Sequence, residues 1–467
     1  MIVGSGSKKQ DLLYIMNPKC GWCTKANPVV DELRKDGYDI TTLDVTNQGD
    51  AERANEVKSR HSAQCGTPLF LDAVSGNSLC GFREKPDLEK WAKGEVAEVK
   101  PTAPTAPTPE QKPTPKKYKL EYIWTDGNGN MRSKVRYSTI IQSPNEVITI
   151  DKIPDWSFDG SSTNQSETSD SDLTISPVRL FPNPMESRQM PTWYVLCEVL
   201  NQDGTPHESN YRKKLWETLE KNKSHNIWIA IEQEYVVVDS NTGKPFGWKD
   251  YDESTPPPQG DYYCGVGSDK QKGRMVAEHH ANLCIQSGLA FEGFHPEVML
   301  SQWEYQIGIG TPLDMADQLL FSRFLLQRVT ERTPFLSVSF DSKVEEGDWN
   351  GSGAHINFST KYMREESTIE YLNIICSSLA EFHSEAIESY GNDNHKRLTG
   401  KHETSSIDKF TWGENDRSAS IRIPHSSSDG NSYLEDRRPS SSMNPYEALS
   451  YLVSTVSKVS EELLVTT

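Results

Sequence analysis

The amino-acid sequence predicts an α/β unit joined to a larger α+β unit, on three observations. Between residues 1 and 97 short apolar runs alternate with amphipathic stretches of helical period. Residues 98–117 carry six prolines and almost no apolar side chains, so they have nothing to bury in a core. From Tyr118 the chain is first β-rich, over 118–205, and then mixes strands with long helices over 206–467. A length of 467 residues also exceeds what one compact core usually serves, so two or three domains are expected.

Leu12–Met16 is an uninterrupted apolar run and reads as a buried strand. Residues 25–35 read as a helix, 38–45 as a strand, and 51–61 as a second helix. Pro68–Leu71 and Leu79–Phe82 read as two more strands, and 86–93 as a closing helix. The order is βαβαββα. The proline-rich segment that follows fixes φ at many positions and favours a semi-rigid spacer, reaching ~60 Å at about 3.1 Å per residue. Tyr118–Trp124, the turn Asp126–Gly129 and Arg132–Tyr137 form a hairpin signal. An amphipathic helix is expected at 210–223. Strands follow at 227–238, 294–300, 303–308, 335–340 and 354–359, and helices at 270–287, 312–332, 364–390 and 443–465. No internal repeat is apparent.

A net charge of −18 argues against a nucleic-acid surface, and no basic stripe with interleaved aromatics stands out. No apolar run approaches a membrane span, and the amino terminus lacks a signal-peptide core. A cytoplasmic protein is expected. The eight cysteines, at 20, 23, 65, 80, 197, 264, 284 and 376, do not form a secreted disulfide pattern. Only Cys20-Gly-Trp-Cys23 has a spacing with its own chemistry. It follows a strand and opens a helix, where the dipole and free N–H groups favour a thiolate on the first cysteine. Pro68 precedes the next core strand and could sit beside the dithiol. A zinc site is the alternative, but zinc needs four ligands, and only Cys65 and Cys80 are available locally.

The second unit concentrates carboxylates, one imidazole and arginines. Glu232 and Glu234 alternate along a strand and so share a face, where two like charges repel unless a cation intervenes. Glu297 and Glu304 are separated by residues 298–303, which fit a short turn between two strands and bring both carboxylates to one rim. In the 354–359 strand His355, Asn357 and Ser359 face one way and Ile356 and Phe358 the other. Oxygen ligands with one imidazole suit Mg²⁺ or Mn²⁺. Arg397, Arg417, Arg422, Arg437 and Arg438 supply guanidinium forks suited to carboxylates and phosphates, and Glu435 directly precedes the last pair. Taken singly these residues are ordinary: a Glu-x-Glu pair is commonly a solvated face, a lone histidine commonly structural, and Arg438 could simply brace the Glu435 loop.

Residues 1–97 resemble the thioredoxin and glutaredoxin superfamily in element order, C-x-x-C placement and the Thr67-Pro68 pair, although Gly-Trp is an unusual middle pair. Residues 118–467 resemble eukaryotic-type glutamine synthetase. The motifs are Trp156–Thr163, Tyr262–Gly267, the glutamate strands, Trp349–Gly351, Arg397–Thr404 and Tyr433–Pro439. This second resemblance implies a small β-grasp-like domain at 118–205 and a catalytic domain at 206–467 built on an antiparallel sheet with helices. It also implies residue roles. Glu234, Glu297 and Glu304 would hold one metal, and Glu232, His355 and Glu435 the metal or metals beside the phosphates of ATP. Asn357, Ser359, Arg364, Arg417, Arg422 and Tyr433 would contact nucleotide. Trp349, Asn350, Gly351, Arg397, Arg417 and Arg437 would surround glutamate and the transferred phosphoryl group. Asp159, Ser162, Tyr263 and Glu403 would form the ammonium pocket, with Glu403 on a closing flap.

The implied reaction joins ammonium to L-glutamate with ATP, using two or three Mg²⁺ or Mn²⁺ ions per site. The implied assembly is a homo-oligomer of stacked rings, decameric by resemblance, with sites between subunits and Asp159 and Ser162 serving a neighbour. The amino-terminal unit would add a dithiol redox activity and take electrons from a thiol reductant. Two other readings compete: a catalytically silent scaffold displaying the redox unit, and a ligase for a larger amine. The intact ligand set argues against the first, and the charged Asp159, Ser162 and Glu403 pocket against the second. Ser157 and Asp348 depart from common family residues, and the appended amino-terminal unit departs from the usual architecture.

Overall fold

A computed structural model describes residues 10–61, 66–95, 113–143, 146–186, 190–248, 259–425 and 432–466. Most of the expected spacer, 98–112, lies outside these residues, as does Cys65. The chain divides into two compact units, Met1–Gln111 and Lys112–Thr467. Among the described residues no helix is long and apolar enough to cross a membrane.

The first unit runs β1 (Leu12–Met16), α1 (Gly21–Lys35), β2 (Ile40–Asp44), α2 (Gln48–Arg60), β3 (Leu69–Asp72), β4 (Ser78–Cys80) and α3 (Lys85–Ala92), in the order expected from the sequence. The sheet order is β2-β1-β3-β4, with β1 parallel to β2 and antiparallel to β3. The apolar run of β1 is continuous because both its faces are covered. Leu12, Tyr14 and Met16 pack with Val30 and Leu33 of α1 and Leu88 and Trp91 of α3. Leu13 and Ile15 pack with Ala54 and Val57 of α2. Each Leu, Ile, Val and Met among these contributes about 1.5–3 kcal/mol on burial. Both early helices start before their expected residues, since Asn47 caps α2 through its side chain and Cys20 occupies the N-cap of α1.

The second unit opens with a five-stranded sheet built from β5 (Thr114–Thr125), β6 (Met131–Gln142), β7 (Trp156–Asp159), β8 (Asp172–Pro182) and β9 (Thr192–Leu200), in the order β6-β5-β9-β8-β7. Strand β5 starts at Thr114, so the last residues of the expected spacer, 114–117, belong to the sheet. Pro115 is tolerated because β5 pairs there with β6 alone, β9 joining only from Lys119. The hairpin turn is held by buried Asp126, whose carboxylate accepts from the backbone N–H of Asn128 and Asn130 at 2.9 Å each.

The remainder comprises α4 (Tyr211–Lys221), β10 (Trp228–Asp239), α5 (Arg274–Gln286), β11 (Phe291–Pro296), β12 (Gln302–Gly310), α6 (Pro312–Thr330), β13 (Leu336–Ser339), β14 (Ala354–Ser359), α7 (Lys361–Glu365), α8 (Ile369–Leu379), α9 (His383–Ser389), β15 (Trp412–Glu414), β16 (Ile421–Ile423), β17 (Leu434–Asp436) and α10 (Pro445–Thr466). Its sheet runs β11-β12-β10-β14-β17-β16-β15, with β13 pairing the end of β10. All these pairs are antiparallel except β15 with β16. The single helix expected at 364–390 is three segments, because Thr368 caps a fresh helix start and a 3-10 turn at Ala380–Phe382 breaks the run. One core joins the two sheets: Phe181 of β8 stacks on Phe321 of α6 with ring centroids 4.0 Å apart.

Candidate active site

Strand register builds the site. Strand β10 lies between β12 and β14, and its alternation sends Glu232 and Glu234 to one face while Ile231 is fully buried on the other. Across the sheet Gln306, Glu232 and His355 stand in one row. His295, Glu304 and Glu234 stand in the next. Asn357, Glu435 and Arg422 form a third. Glu297 is not in a strand as expected. β11 ends at Pro296, and Glu297 opens the turn to β12, its N–H donating to the Gln302 carbonyl at 2.9 Å. Three groups of donor atoms lie within 4.8 Å of one another: Glu232, His355 and Glu435; Glu234, Glu304 and His355; His295, Glu297 and Glu304.

Burial dominates the ionisation of several of these groups. Glu234 accepts from the Gly353 N–H at 2.7 Å and from the Gln302 side chain at 3.2 Å. Burial, reinforced by the charge of Glu297, pushes the Glu234 carboxyl up to about 8. Burial and the charge of Glu232 push Glu304 far above the carboxylate range. His355 is driven well below the usual imidazole range by burial, followed by the Arg437 charge. Its Nδ1 is buried without a hydrogen-bond partner and faces Glu232 Oε2 at 3.5 Å and Glu435 Oε1 at 3.7 Å. A deprotonated imidazole nitrogen aimed between two carboxylates fits a hard divalent cation.

The arginines frame this cluster. Glu435 is fully buried and accepts from Arg422 and Arg437 at 2.6 Å each. Arg397 donates to the Arg437 carbonyl at 2.7 Å and stands 3.2 Å from His355 Nε2. It fits there because the neighbouring residues are glycines. A Cβ on Gly353 would come within 2.5 Å of Arg397 Nη2, and one on Gly351 within 2.6 Å of Arg397 Cγ. Arg438 does not enter the site; it forms a buried pair with Asp436, at 2.7 Å, beneath it.

Two cavities meet at Glu232 and Gln306, which line both. One, of about 650 Å³, contains the Glu234, Glu297, Glu304 and His355 side chains and is further lined by Tyr263, Asn350 and Gly351. Arg397, Glu403, Arg417, Arg422 and Arg437 complete its wall. The other, of about 760 Å³, is lined by Asn357, Ser359, Arg364 and Tyr433 together with Trp228 and Ile309. Arg364 lies 4.0 Å over the Trp228 ring and donates to the Ser359 hydroxyl at 2.9 Å. Arg422, expected beside nucleotide, therefore opens on the first cavity rather than the second. Glu403 lies on a loop closed by the Thr399–Ser406 bridge, and His402 ties that loop to Asp348 at 3.0 Å and to Gln259 at 2.8 Å.

Not every expected residue comes to the site. Trp349 packs against Trp248 with centroids 5.0 Å apart and lines neither cavity. Asp159 and Ser162 line neither cavity. They are exposed on the small sheet, where the Ser162 and Ser161 hydroxyls hold the Asp159 carboxyl down at about 2. Conversely, His295, Gln302, Gln306, Gly353 and Gln259 belong to the site and were not anticipated. The signal for His295 was its spacing two residues before Glu297. No local pattern marked the glutamines.

The first unit has its own polar cluster. Cys20 Sγ lies 3.4 Å from the Thr67 carbonyl, and the Thr67–Pro68 peptide is cis. The Cys23 N–H and thiol lower the Cys20 thiol below its ordinary range, whereas burial raises Cys23. Cys80 is engaged in a disulfide and so offers no thiolate to a zinc ion.

Known families match the second unit. A model described as glutamine synthetase, catalytic domain, covers residues 209–458, and one described as glutamine synthetase, beta-Grasp domain, covers 116–202. The glutamine synthetase of Saccharomyces cerevisiae is 42% identical over 337 residues, spanning 72% of this chain and 88% of that protein. Those of Neurospora crassa and Yarrowia lipolytica are each 43% identical, over 336 and 337 residues, again spanning 72% of this chain and 90% of each relative.

Proposed function

The chain belongs to the glutamine synthetase family and is a glutamate–ammonia ligase, and from that premise we propose that its two adjoining cavities form γ-glutamyl phosphate from L-glutamate and ATP and then replace the phosphate with ammonia. The observation that carries this reading is the pair of carboxylates, half-buried Glu232 and buried Glu435, facing the unpartnered Nδ1 of His355. Glu234, Glu297 and Glu304 would hold one divalent cation, and Glu232, His355 and Glu435 one or two more, Mg²⁺ or Mn²⁺. Bound there, the cations supply positive charge against the triphosphate and the transferring phosphoryl group.

The chain's own residues do the rest. Asn357, Ser359, Arg364 and Tyr433 line the compartment we assign to nucleotide. Arg397, Arg417 and Arg437, with Asn350 and Gly351, line the compartment we assign to glutamate. There, guanidinium groups offset the repulsion between the γ-carboxylate and the phosphates, so that transfer is mainly positioning and charge stabilisation. Glu403 and its loop would close over the acyl phosphate and exclude water.

Asp159, Ser162 and Tyr263 would receive ammonium. Asp159 is ionised at any neutral pH and so attracts the cation, and insertion into a buried site raises its basicity enough to take a proton. The ammonia lone pair then attacks the γ-carbonyl carbon, the C–O bond to phosphate breaks, and the departing phosphate takes the surplus nitrogen proton, leaving the neutral amide. Because Asp159 and Ser162 lie outside their own chain's cavities, we assign them to a neighbouring subunit's site in a homo-oligomer, for which the family resemblance implies stacked rings and a decamer.

The Met1–Gln111 unit reads as a thioredoxin-like dithiol module that exchanges electrons through Cys20 and Cys23, with Pro68 beside them. Its support is the lowered Cys20 thiol at a helix start and the buried Cys23 one turn on.

Phosphate release measured with glutamate and ATP, with and without ammonium, tests the ligase. Wild type should turn over only with ammonium, and Asp159→Ala should lose at least ~100-fold in that rate. Undiminished ammonium-dependent turnover in the variant would remove Asp159 from the mechanism.

A further inference from the structure

We propose that His295 is a nitrogen ligand of the cation held by Glu234, Glu297 and Glu304, an inference that rests on the metal-dependent reading above. The centre then carries one imidazole beside three carboxylates.

The fold directs the ring towards Glu297 and Glu304. His295 sits opposite Glu304 in the β11–β12 register, and Pro296 follows it, which favours extended backbone at position 295. Its Nε2 lies 2.9 Å from Glu297 Oε1 and 3.9 Å from Glu304 Oε1. Two donors about 2.1 Å from one octahedral cation stand ~3.0 Å apart when adjacent and ~4.2 Å apart when opposite. The first separation fits adjacent ligands of a single ion, and the second falls between the two values. The ring edges the cavity, its side chain 26% exposed, and meets Tyr263 edge-on with centroids 5.6 Å apart. As a ligand, Nε2 presents its lone pair to the ion and the ring proton resides on Nδ1. Without a cation, Nε2–H instead donates to Glu297, which keeps the carboxylate turned towards the site. Imidazole favours transition ions over Mg²⁺, so His295 biases this centre towards Mn²⁺.

The test uses the full-length, reduced protein and metal alone. Mn²⁺ suits it because thiolates compete poorly for that ion. Mn²⁺ and Mg²⁺ affinities are measured by calorimetry, and nitrogen coupling to bound Mn²⁺ by pulsed electron paramagnetic resonance, for wild type, His295→Asn and His295→Gln. Thermal unfolding identifies any variant that fails to fold, and the other then carries the comparison. Wild type should show two nitrogen-coupled Mn²⁺ environments, one from His355. Both variants should lose one environment and weaken one Mn²⁺ site at least ~10-fold, with Mg²⁺ affinity changed less than about threefold. Unchanged nitrogen coupling overturns the proposal, and so does an equal loss for both ions, which marks a prop for Glu297 rather than a ligand. Wild type that binds no Mn²⁺ overturns the metal-dependent reading itself, whereas tight Mn²⁺ binding shared by wild type and variants overturns only the role of His295.

Discussion

Cys20 and Cys23 lie one helical turn apart in opposite electrostatic settings. Cys20 occupies the N-cap, where the N–H and thiol of Cys23 stabilise its thiolate; Cys23 is buried and resists ionisation. Alkylation rate follows thiolate fraction. In the reduced protein iodoacetamide should modify Cys20 first, with a pH midpoint below that of an ordinary thiol, and Cys20→Ser should abolish the fast phase. Peptide mapping at several pH values measures this, and equal rates at the two cysteines would remove the assigned roles. The same contrast of burial governs the acidic residues. Glu435 is fully buried yet paired with two arginines, whereas Glu234 has one backbone donor and one amide.

At the scale of elements, the pairing of β10 with β12 and β14 buries Glu234, Glu297 of the adjoining turn adds a like charge, and the consequence is a pH-dependent stability. The Glu234 carboxyl is raised from 4.5 to about 8, so the folded state retains a proton that the unfolded chain releases. Its contribution is present below the unfolded value and is lost as pH rises towards the folded one. Metal-free protein should therefore melt at a lower temperature at pH 8 than at pH 6. Mn²⁺ should flatten that dependence, and Glu234→Gln should reduce it without metal. Scanning calorimetry after chelation tests this; a melting temperature independent of pH would contradict the crowding. Strand alternation made much of this legible in the sequence, since Glu232, Glu234, His355 and Asn357 declare their faces by spacing alone. What alternation could not give was register. Nothing local says that Glu304 stands opposite Glu234, or that Gln302 of β12 and Gly353, just before β14, brace it. The turn at Glu297 was hidden because Glu297–Leu300 is apolar enough to pass for strand, and the break between α8 and α9 because apolar spacing continues across it.

At the scale of the whole molecule, Asp159 and the acidic cavity belong to one chain but not to one place. If they meet only across subunits, two inactive variants should repair each other. Asp159→Ala and Glu297→Gln, mixed after dissociation and reassembled, should regain about one quarter of wild-type activity, the share of interfaces at which two intact halves meet under random mixing. Activity that stays at the level of the separate variants would confine each site to one chain. The two-unit organisation was legible because proline and threonine runs announce themselves. Its edge was not, since Pro115 in an edge strand looks the same as proline in a spacer.

Glu232 borders both cavities. Whatever neutralises it from one compartment alters the field in the other. With nucleotide and glutamate in the two compartments as proposed, binding would be synergistic through a shared wall, and communication between them would require no hinge.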